Sequence, residues 1–256
     1  FLDPACGSGN FLTETFLRVI TGLLQGDAQA EIVAGVDPYT ETANDYPVYP
    51  SIADCQVEAD VVIDFATAAA VDDLIDYCEA RKMPVVLCTT GMTDAQLARI
   101  QQASEKVAIL KSANMSIGIN MLMDVLTSVA PLLAEAGFDI EIVEKHHNQK
   151  VDAPSGTALA LADAINEGLA EPYAYKLDRS KERIKREKKE IGIQALRGGT
   201  IVGEHEVLFA GTDEVITFKH TAYSKAIFGK GAIQAAKFLA GQPAGMYDMS
   251  DVVKNA

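Results

Sequence analysis

The chain has 256 residues, of which 48% are hydrophobic and 23% are charged, and its formal net charge is −14 at pH 7. These proportions are typical of a globular protein with one large domain or two smaller ones. The acidic balance argues against broad nucleic-acid binding, because contact with phosphates requires a basic face. An anionic ligand must therefore be met by local positive charge.

The cysteines form no CxxC pair and have no metal-like spacing with histidine. They are Cys6, Cys55, Cys78 and Cys88. This pattern predicts reduced thiols in a cytoplasmic protein and no metal site. We identify no signal peptide and no apolar run of about 18 residues, so neither secretion nor a membrane span is expected.

The chain opens on "FLDPACGSGNFL", and its small residues predict a loop that binds a nucleotide. The candidate cofactor residues there are Gly7, Ser8, Gly9 and Asn10. Over residues 1–14 the string resembles the S-adenosylmethionine-binding loop of N6-adenine DNA methyltransferases. The Asn/Asp-Pro-Pro-aromatic motif with which those enzymes hold the target amine is absent.

The first half of the chain alternates short apolar runs with helical patterns. The runs lie at residues 31–37, 59–66, 83–91 and 106–116. Helices are predicted over Val71–Arg81 and Asp94–Ser104, the second with Thr93 as its N-cap. This alternation predicts a Rossmann-like α/β domain with a parallel sheet, whose ligands bind at the carboxyl ends of the strands.

The pattern changes near residue 117 to that of an α+β domain with a mixed or antiparallel open sheet. A long helix over Gly118–Ala136 precedes a strand at 138–144, and the runs at 191–197, 201–210 and 214–222 alternate as antiparallel strands do. The charged run 178–190 is interpreted as a solvated helix or loop. We predict domains at 1–116 and 117–227, with a C-terminal helix at about 228–256 packing back on the first domain.

The segment "EKHHNQKVDAPSGTALALADAI" (144–165) carries the strongest chemical signal. Ser155 or Thr157 can cap the helix that follows, and the free amides near Gly156 form an anion site at the helix start. His146, His147 and Lys150 add cationic groups just upstream. This combination predicts a carboxylate-bearing substrate and a histidine that exchanges a proton.

The same segment resembles the signature of the 4-hydroxy-tetrahydrodipicolinate reductases, oxidoreductases of lysine and diaminopimelate biosynthesis. The similarity continues in order through "DVVIDFA", "VVLCTTG", "SANMSIGINML" and "LRGGTIVGEHEVLF", and covers about residues 30–253. It implies an NADH- or NADPH-dependent enzyme that reduces a small dicarboxylate, works as a homotetramer in the cytoplasm and binds no nucleic acid or membrane.

The resemblance also implies roles for particular residues. His146 would be the proton donor and acceptor, Lys150 a second proton donor, and His147 a substrate contact. The amides of Gly156 and Thr157, with Ser155 and Thr90, would hold a substrate carboxylate. Asp37 would contact the adenosine ribose and favour NAD over NADP. The remaining residues implied to line the cofactor groove are Cys88, Thr89, Thr90, Ser112, Ala113, Asn114 and Met115.

Two alternatives remain open from the sequence. The altered N-terminal loop could leave an assembly protein with the reductase fold and impaired cofactor binding. The opening string alone would instead indicate an S-adenosylmethionine-dependent methyltransferase. Lys225 also stands where the reductases usually carry arginine, which keeps the charge and loses the bidentate fork.

Overall fold

The computed structural model describes residue 20 and residues 22–25, 27–38, 44–180 and 182–255. Within these residues the chain has eleven strands and six α-helices. The strands are β1 Gly35–Val36, β2 Val48–Tyr49, β3 Val62–Asp64, β4 Val85–Leu87, β5 Ala108–Lys111, β6 Asp139–His146, β7 Ala174–Lys176, β8 Glu190–Arg197, β9 Gly203–Ala210, β10 Val215–Ala222 and β11 Gly245–Tyr247. The helices are α1 Val71–Arg81, α2 Asp94–Ala103, α3 Ile117–Glu135, α4 Gly156–Gly168, α5 Ala226–Leu239 and α6 Met249–Lys254.

Contacts along the described chain separate two compact units. One contains the residues up to Ser116 together with those from Ala226 onward, and the other is Ile117–Lys225. The C-terminal helices α5 and α6 therefore belong to the same unit as strands β1–β5.

The first unit is built on a four-stranded parallel sheet in the order β11-β5-β4-β3. All three residues of β4 are buried, as expected for a strand covered on both faces. Ile75 of α1 and Ile100 of α2 pack with Ile109 of β5 in one apolar cluster. Helix α5 lies against β3, β4 and β5. The predicted parallel α/β architecture is confirmed.

Helix α2 begins as its sequence predicts. The Thr93 hydroxyl accepts from the Gln96 N–H at 3.2 Å, and the Gln96 side chain accepts from the Thr93 N–H at 3.0 Å. This capping box satisfies two amides at the helix start that would otherwise lack partners. Helix α1 has the predicted bounds of Val71–Arg81.

The second unit contains a five-stranded mixed sheet in the order β10-β9-β6-β8-β7. Strands β9 and β10 pair antiparallel, as predicted, and form a hairpin. The expectation that 191–197 is antiparallel is wrong, because β8 pairs with β6 in parallel. A parallel neighbour requires a crossover connection, and α4 lies in the connection between β6 and β8.

Helices α3 and α4 pack against one face of this sheet. Leu126 and Leu161 join Ile140, Ile142 and Phe209 in a core cluster whose members are fully buried. Residues alternate between buried and partly exposed along both β6 and β9, the period-2 pattern of a sheet with one covered face. On β6 this alternation places residues 140, 142, 144 and 146 on the buried face.

Helix α3 corrects the expectation that the chain has no apolar run of about 18 residues. Ile117–Glu135 is long and apolar enough, by length and composition, to cross a membrane. A single such helix is weak evidence for a membrane span, because the core helix of a soluble protein passes the same test.

The charged run 178–190 forms ion pairs and hydrogen bonds with the sheet, whereas the sequence predicted a solvated helix or loop. Arg186 donates to the Glu141 carboxylate at 3.0 Å and to the Ile140 carbonyl oxygen at 3.0 Å. Arg179 also pairs with Glu141, at 2.8 Å, and with Glu190 at the start of β8. The run is therefore a loop tied to the sheet by arginines, and the sequence pattern did not reveal the carboxylates that bind it.

Candidate functional site

The candidate site is built on the end of β6, where Glu144 and His146 lie two residues apart on the buried face. Glu144 is fully buried, and His146 is 8% exposed. Their side chains meet, with His146 Nδ1 2.6 Å from Glu144 Oε2. A strand places alternate residues on the same face, which is why the intervening Lys145 does not take part.

The Glu144 carboxylate is held from three directions. Arg197, opposite His146 in the β6–β8 register, donates through Nη1 to Oε2 and through Nη2 to Oε1, each at 2.8 Å. The Ser155 N–H donates to Oε1 at 2.9 Å. Burial alone would raise the pKa of Glu144, but the bonds from His146, Arg197 and Ser155 lower it to about 2. The carboxyl is therefore ionised at neutral pH.

Ser155 joins this cluster to the start of α4. It is the N-cap of the helix, as one of the two predicted alternatives has it, and its hydroxyl accepts from the Ala158 N–H at 3.2 Å. The same hydroxyl lies 3.1 Å from His205 Nε2 on β9. Ser155 is 2% exposed, whereas Gly156 beside it is exposed. The first turn of α4 therefore presents backbone amides beside the buried cluster.

His205 is a second buried imidazole next to His146. The two ring centroids are 5.1 Å apart in an edge-to-face arrangement. Burial, with smaller contributions from the neighbouring His146, His220 and Lys150, lowers the pKa of His205 to about 3, although Glu144 acts in the opposite direction. His205 is therefore neutral at physiological pH, and it was not among the residues predicted from the sequence.

Lys150 lies on the loop between β6 and α4, with a side chain 14% exposed. Its Nζ is 2.6 Å from Asp152 Oδ1. Burial opposes ionisation of Asp152, but the bond from Lys150 gives its carboxyl a lowered pKa. The Lys150 N–H donates to the His147 carbonyl oxygen at 3.2 Å, which closes a tight turn after β6. His146, Ser155 and Lys150 thus belong to one cluster of the second unit.

The candidate cofactor residues that the structure describes lie in the first unit, after strands of its parallel sheets. Cys88, Thr89 and Thr90 follow β4, and Ser112–Met115 follow the adjacent β5. Asp37 follows β1 and is 4% exposed. Parallel neighbours end at the same sheet edge, so the residues after β4 and β5 line one edge. Gly7, Ser8, Gly9 and Asn10 lie outside the described residues.

Two buried polar atoms mark this edge. They are Asp64 Oδ2 at the end of β3 and Thr89 Oγ1 after β4. Burial raises the pKa of the Asp64 carboxyl, and the nearby Thr89 side chain and backbone oppose this rise. At the carboxyl ends of parallel strands, buried polar groups of this kind are ones that a bound ligand can contact. Burial also raises the pKa of the Cys88 thiol, which excludes it as a thiolate nucleophile.

No cluster of three or more His, Cys, Asp or Glu side chains able to hold a metal ion occurs in the described part of the chain. Cys55, Cys78 and Cys88 are free and buried.

Family models match the chain in two consecutive segments. The model described as dihydrodipicolinate reductase, N-terminus, matches residues 18–115, and the one described as dihydrodipicolinate reductase, C-terminus, matches residues 118–253. The chain belongs to the dihydrodipicolinate reductase family. The predicted family and the predicted oxidoreductase class are confirmed.

Curated relatives agree over nearly the whole chain. The 4-hydroxy-tetrahydrodipicolinate reductase of Caldanaerobacter subterraneus subsp. tengcongensis is 50% identical over 237 residues, covering 93% of each chain. The enzyme of the same name from Clostridium novyi is 49% identical over 224 residues, covering 88% of each. These matches overturn the methyltransferase alternative. Residues 1–17, which carry the methyltransferase-like string, precede both family models.

Solved structures support the fold. The dipicolinate-bound dihydrodipicolinate reductase from Paenisporosarcina sp. TG-14 matches with a TM-score of 0.74 at 24% identity, covering 91% of this chain and 93% of that one. The WlbA dehydrogenase of Chromobactrium violaceum, solved with NADH and UDP-GlcNAcA, matches with a TM-score of 0.53 at 13% identity, covering 94% and 88%. Membership of this reductase family makes a nicotinamide dinucleotide the cofactor class of the chain.

Proposed function

We propose that this chain reduces 4-hydroxy-tetrahydrodipicolinate with NADH or NADPH, in lysine and diaminopimelate biosynthesis. The names of relatives at about half identity over nearly their full length support this substrate. The single observation that carries the proposal is the buried His146–Glu144 pair, joined through Ser155 to the start of α4.

The start of α4 is the proposed site for a substrate carboxylate. Gly156 and Thr157 open the helix, where the helix dipole favours a negative group, and the Gly156 backbone already bonds one carboxylate, that of Asp152. Lys150 adds a cation and is paired with the Asp152 carboxylate. A substrate carboxylate would compete with Asp152 for that cation. Thr90 and His147 are proposed as further substrate contacts.

His146 and Lys150 are the proposed proton-transfer groups. Conversion of 4-hydroxy-tetrahydrodipicolinate to tetrahydrodipicolinate replaces the 4-hydroxyl group by a hydride. The hydroxyl leaves as water and takes up one proton, so a group that can give up a proton has to face the substrate. An imidazole suits this task because its ordinary pKa lies near neutrality. Glu144 keeps the imidazole fixed, and Lys150 supplies a second acidic N–H near the carboxylate site.

The residues after β3, β4 and β5 fit a dinucleotide. The Thr89 hydroxyl can donate to it, the Asp64 carboxyl is favoured in its neutral form by burial, and Asn114 is 2% exposed at the same edge. Asp37 and the residues Cys88, Thr90, Ser112, Ala113 and Met115 are proposed to complete the groove, together with Gly7–Asn10. When bound, the nicotinamide supplies the hydride.

Asp37 supports a preference for NADH over NADPH. An acid after a strand of a dinucleotide-binding unit can accept from the ribose hydroxyls, whereas it repels a 2′-phosphate. Cytoplasmic location and a homotetramer remain predictions.

The test is a turnover assay that follows the oxidation of reduced nicotinamide by the purified chain with the cyclic substrate. We expect turnover with at least one of NADH and NADPH, and no tight binding of S-adenosylmethionine by calorimetry. Nicotinamide binding without turnover would contradict the proposed activity. Failure to bind either nicotinamide would favour the assembly-protein alternative.

A further inference from the structure

Glu144 is the most completely buried ionised group of the described site, and the reaction outlined above does not use it directly. Its two oxygens receive four contacts, from His146 Nδ1, both terminal nitrogens of Arg197 and the Ser155 N–H, all between 2.6 and 2.9 Å. A carboxylate offers about four acceptor positions, so this one is fully occupied. An ion buried at such a cost in solvation needs an explanation.

We propose that Glu144 is a positioning residue that holds the proton of neutral His146 on Nδ1 and so leaves Nε2 as the nitrogen that exchanges protons. The inference rests on the proposed function, which makes His146 the proton-transfer group. The hydrogen bond made by one ring nitrogen fixes the tautomer of an imidazole, and a carboxylate without a proton of its own can only accept.

The surroundings of Glu144 keep it an acceptor. Arg197 forms a bidentate ion pair with the Glu144 carboxylate, a geometry that lysine cannot reproduce. Ser155 is fixed by its place at the start of α4, so the N–H that it directs at Glu144 is fixed as well. The carboxylate is therefore held in place by a strand neighbour and a helix terminus before any ligand binds.

Arg197 also connects the site to the loop after β6. Its Nη2 donates to the Asp152 carbonyl oxygen at 2.5 Å, and its Nη1 donates to its neighbour, the Leu196 carbonyl. Asp152 in turn pairs with Lys150 through its side chain. Glu144 and Arg197 thus support both proposed proton-transfer groups, one directly and the other through the loop backbone.

Other charged and titratable groups on neighbouring elements lie around Glu144, His146 and the adjacent His205. They are Arg197 on β8, His205 on β9, His220 on β10, and Lys150 with Asp152 on the loop. His205 is held neutral by burial. Glu144 is therefore the one negative group in this set that contacts the His146 ring in the described structure.

On the Nε2 side of the His146 ring, the nearby residue is Gly203 of β9. A Cβ added at Gly203 on β9 would lie 3.2 Å from His146 Nε2, so a side chain there would crowd the ring. Glycine at this position leaves Nε2 unobstructed from that direction.

The first test is a measurement on the unmodified protein, so it does not depend on a variant that folds. The ¹⁵N shifts of His146, recorded well above the ordinary histidine pKa of about 6.5, report which ring nitrogen carries the proton. We expect the Nδ1–H form to dominate. A dominant Nε2–H form would overturn the inference, whether or not the chain turns over the substrate.

The second test compares Glu144→Gln with Glu141→Gln. Glu141 lies on the same strand, on the opposite face, and also binds two arginines, but it does not contact a histidine. For Glu144→Gln we expect kcat to fall at least about 10-fold with KM within about threefold, and the ¹⁵N shifts to move toward a mixture of tautomers. Glu141→Gln should change neither.

Equal kcat and unchanged ¹⁵N shifts in the two variants would overturn the inference. If the unmodified chain shows no turnover at all, the proposed function fails, while the ¹⁵N comparison still decides the role of Glu144.

Discussion

At the residue scale, His205 shows what burial costs inside the site. Its Nε2 lies 3.1 Å from the Ser155 hydroxyl, and its Nδ1 has no hydrogen-bond partner among the described residues. Burial lowers its pKa to about 3 from an ordinary value near 6.5. The unfolded chain therefore binds a proton at this residue more readily than the folded chain does between those two values.

This difference predicts a loss of stability on acidification. Because the folded-state pKa is the lower one, the free energy of unfolding falls as the pH drops below about 6.5, by about 2 kcal/mol between pH 6.5 and 5 from this residue. Replacing it in His205→Gln removes the titration and keeps a nitrogen near Ser155. Urea unfolding at several pH values should therefore show that the free energy of unfolding depends less steeply on pH in the variant. The same pH dependence in both proteins would contradict the low pKa assigned to His205.

Glu144 acts in a separate pH range. Its folded pKa of about 2 lies below the ordinary value of 4.5. Its stabilising contribution is therefore present above about pH 4.5 and is lost as the pH falls toward 2. The two groups can be distinguished because the His205 window begins two pH units higher.

Asp37 carries a prediction about cofactor choice. The residue is 4% exposed after β1, and its N–H donates to the Tyr49 carbonyl oxygen of the β2 strand at 2.9 Å. Asp37→Ser removes the charge that would repel a 2′-phosphate, so we expect the affinity ratio of NADPH to NADH to rise at least about 10-fold. The control is Asp60→Ser, an exposed acid before β3 in the same unit. An unchanged ratio in Asp37→Ser would refute the ribose contact.

At the element scale, the paired strands β6 and β8 place Gly192 opposite Glu141 and close to its side chain. A Cβ on this glycine would overlap the Glu141 carboxylate, which binds Arg179 and Arg186 of the loop 177–189. Gly192→Ala should displace that carboxylate and lower the free energy of unfolding by about 1–3 kcal/mol. Gly198→Ala, at a position with no atom within 4 Å of an added Cβ, is the matched control. Equal unfolding midpoints in urea for the two variants would contradict this account of the contact between Gly192 and Glu141.

The elements that the sequence predicted well are those with a local signal. Helix α2 has a capping box, α1 has a continuous helical pattern, and the β9–β10 hairpin has a turn-forming run between alternating strands. The parallel pairing of β8 with β6 depends on a partner about 50 residues away and leaves no mark in the local alternation. The short strands β7 and β11 were missed because three residues carry too little pattern.

The candidate site was predicted in part for the same reason. His146, Lys150 and Ser155 lie in one continuous segment, and the structure places them in one cluster. Arg197 and His205 were missed because they come from β8 and β9, and only the sheet register brings them to Glu144 and Ser155. Glu144 itself could have been found, since it lies two residues before His146 and strand alternation puts both on one face.

At the scale of the whole molecule, the proposed functional groups are distributed over the two units. The groups proposed for protons and for the substrate carboxylate, apart from Thr90, lie within Ile117–Lys225, and the described groups proposed for the dinucleotide lie in the other unit. The methyltransferase-like opening string belongs to neither family model, which begin at residues 18 and 118. Because the overall charge is −14, an anionic substrate depends on local cations, and Lys150 is the cation proposed for that contact.

His146 and Lys150 are the groups proposed to transfer protons in this reductase. The most direct measurement is kcat for the reduction of the cyclic dicarboxylate by the unmodified chain, His146→Gln and Lys150→Ala. The control is Lys145→Ala, a lysine on the opposite face of β6 that pairs with Glu204 and Glu206. We predict losses of about 100-fold or more for the first two variants, each still folded and binding nicotinamide, and a rate within about twofold for the control. Rates for His146→Gln and Lys150→Ala that match the control would contradict the account.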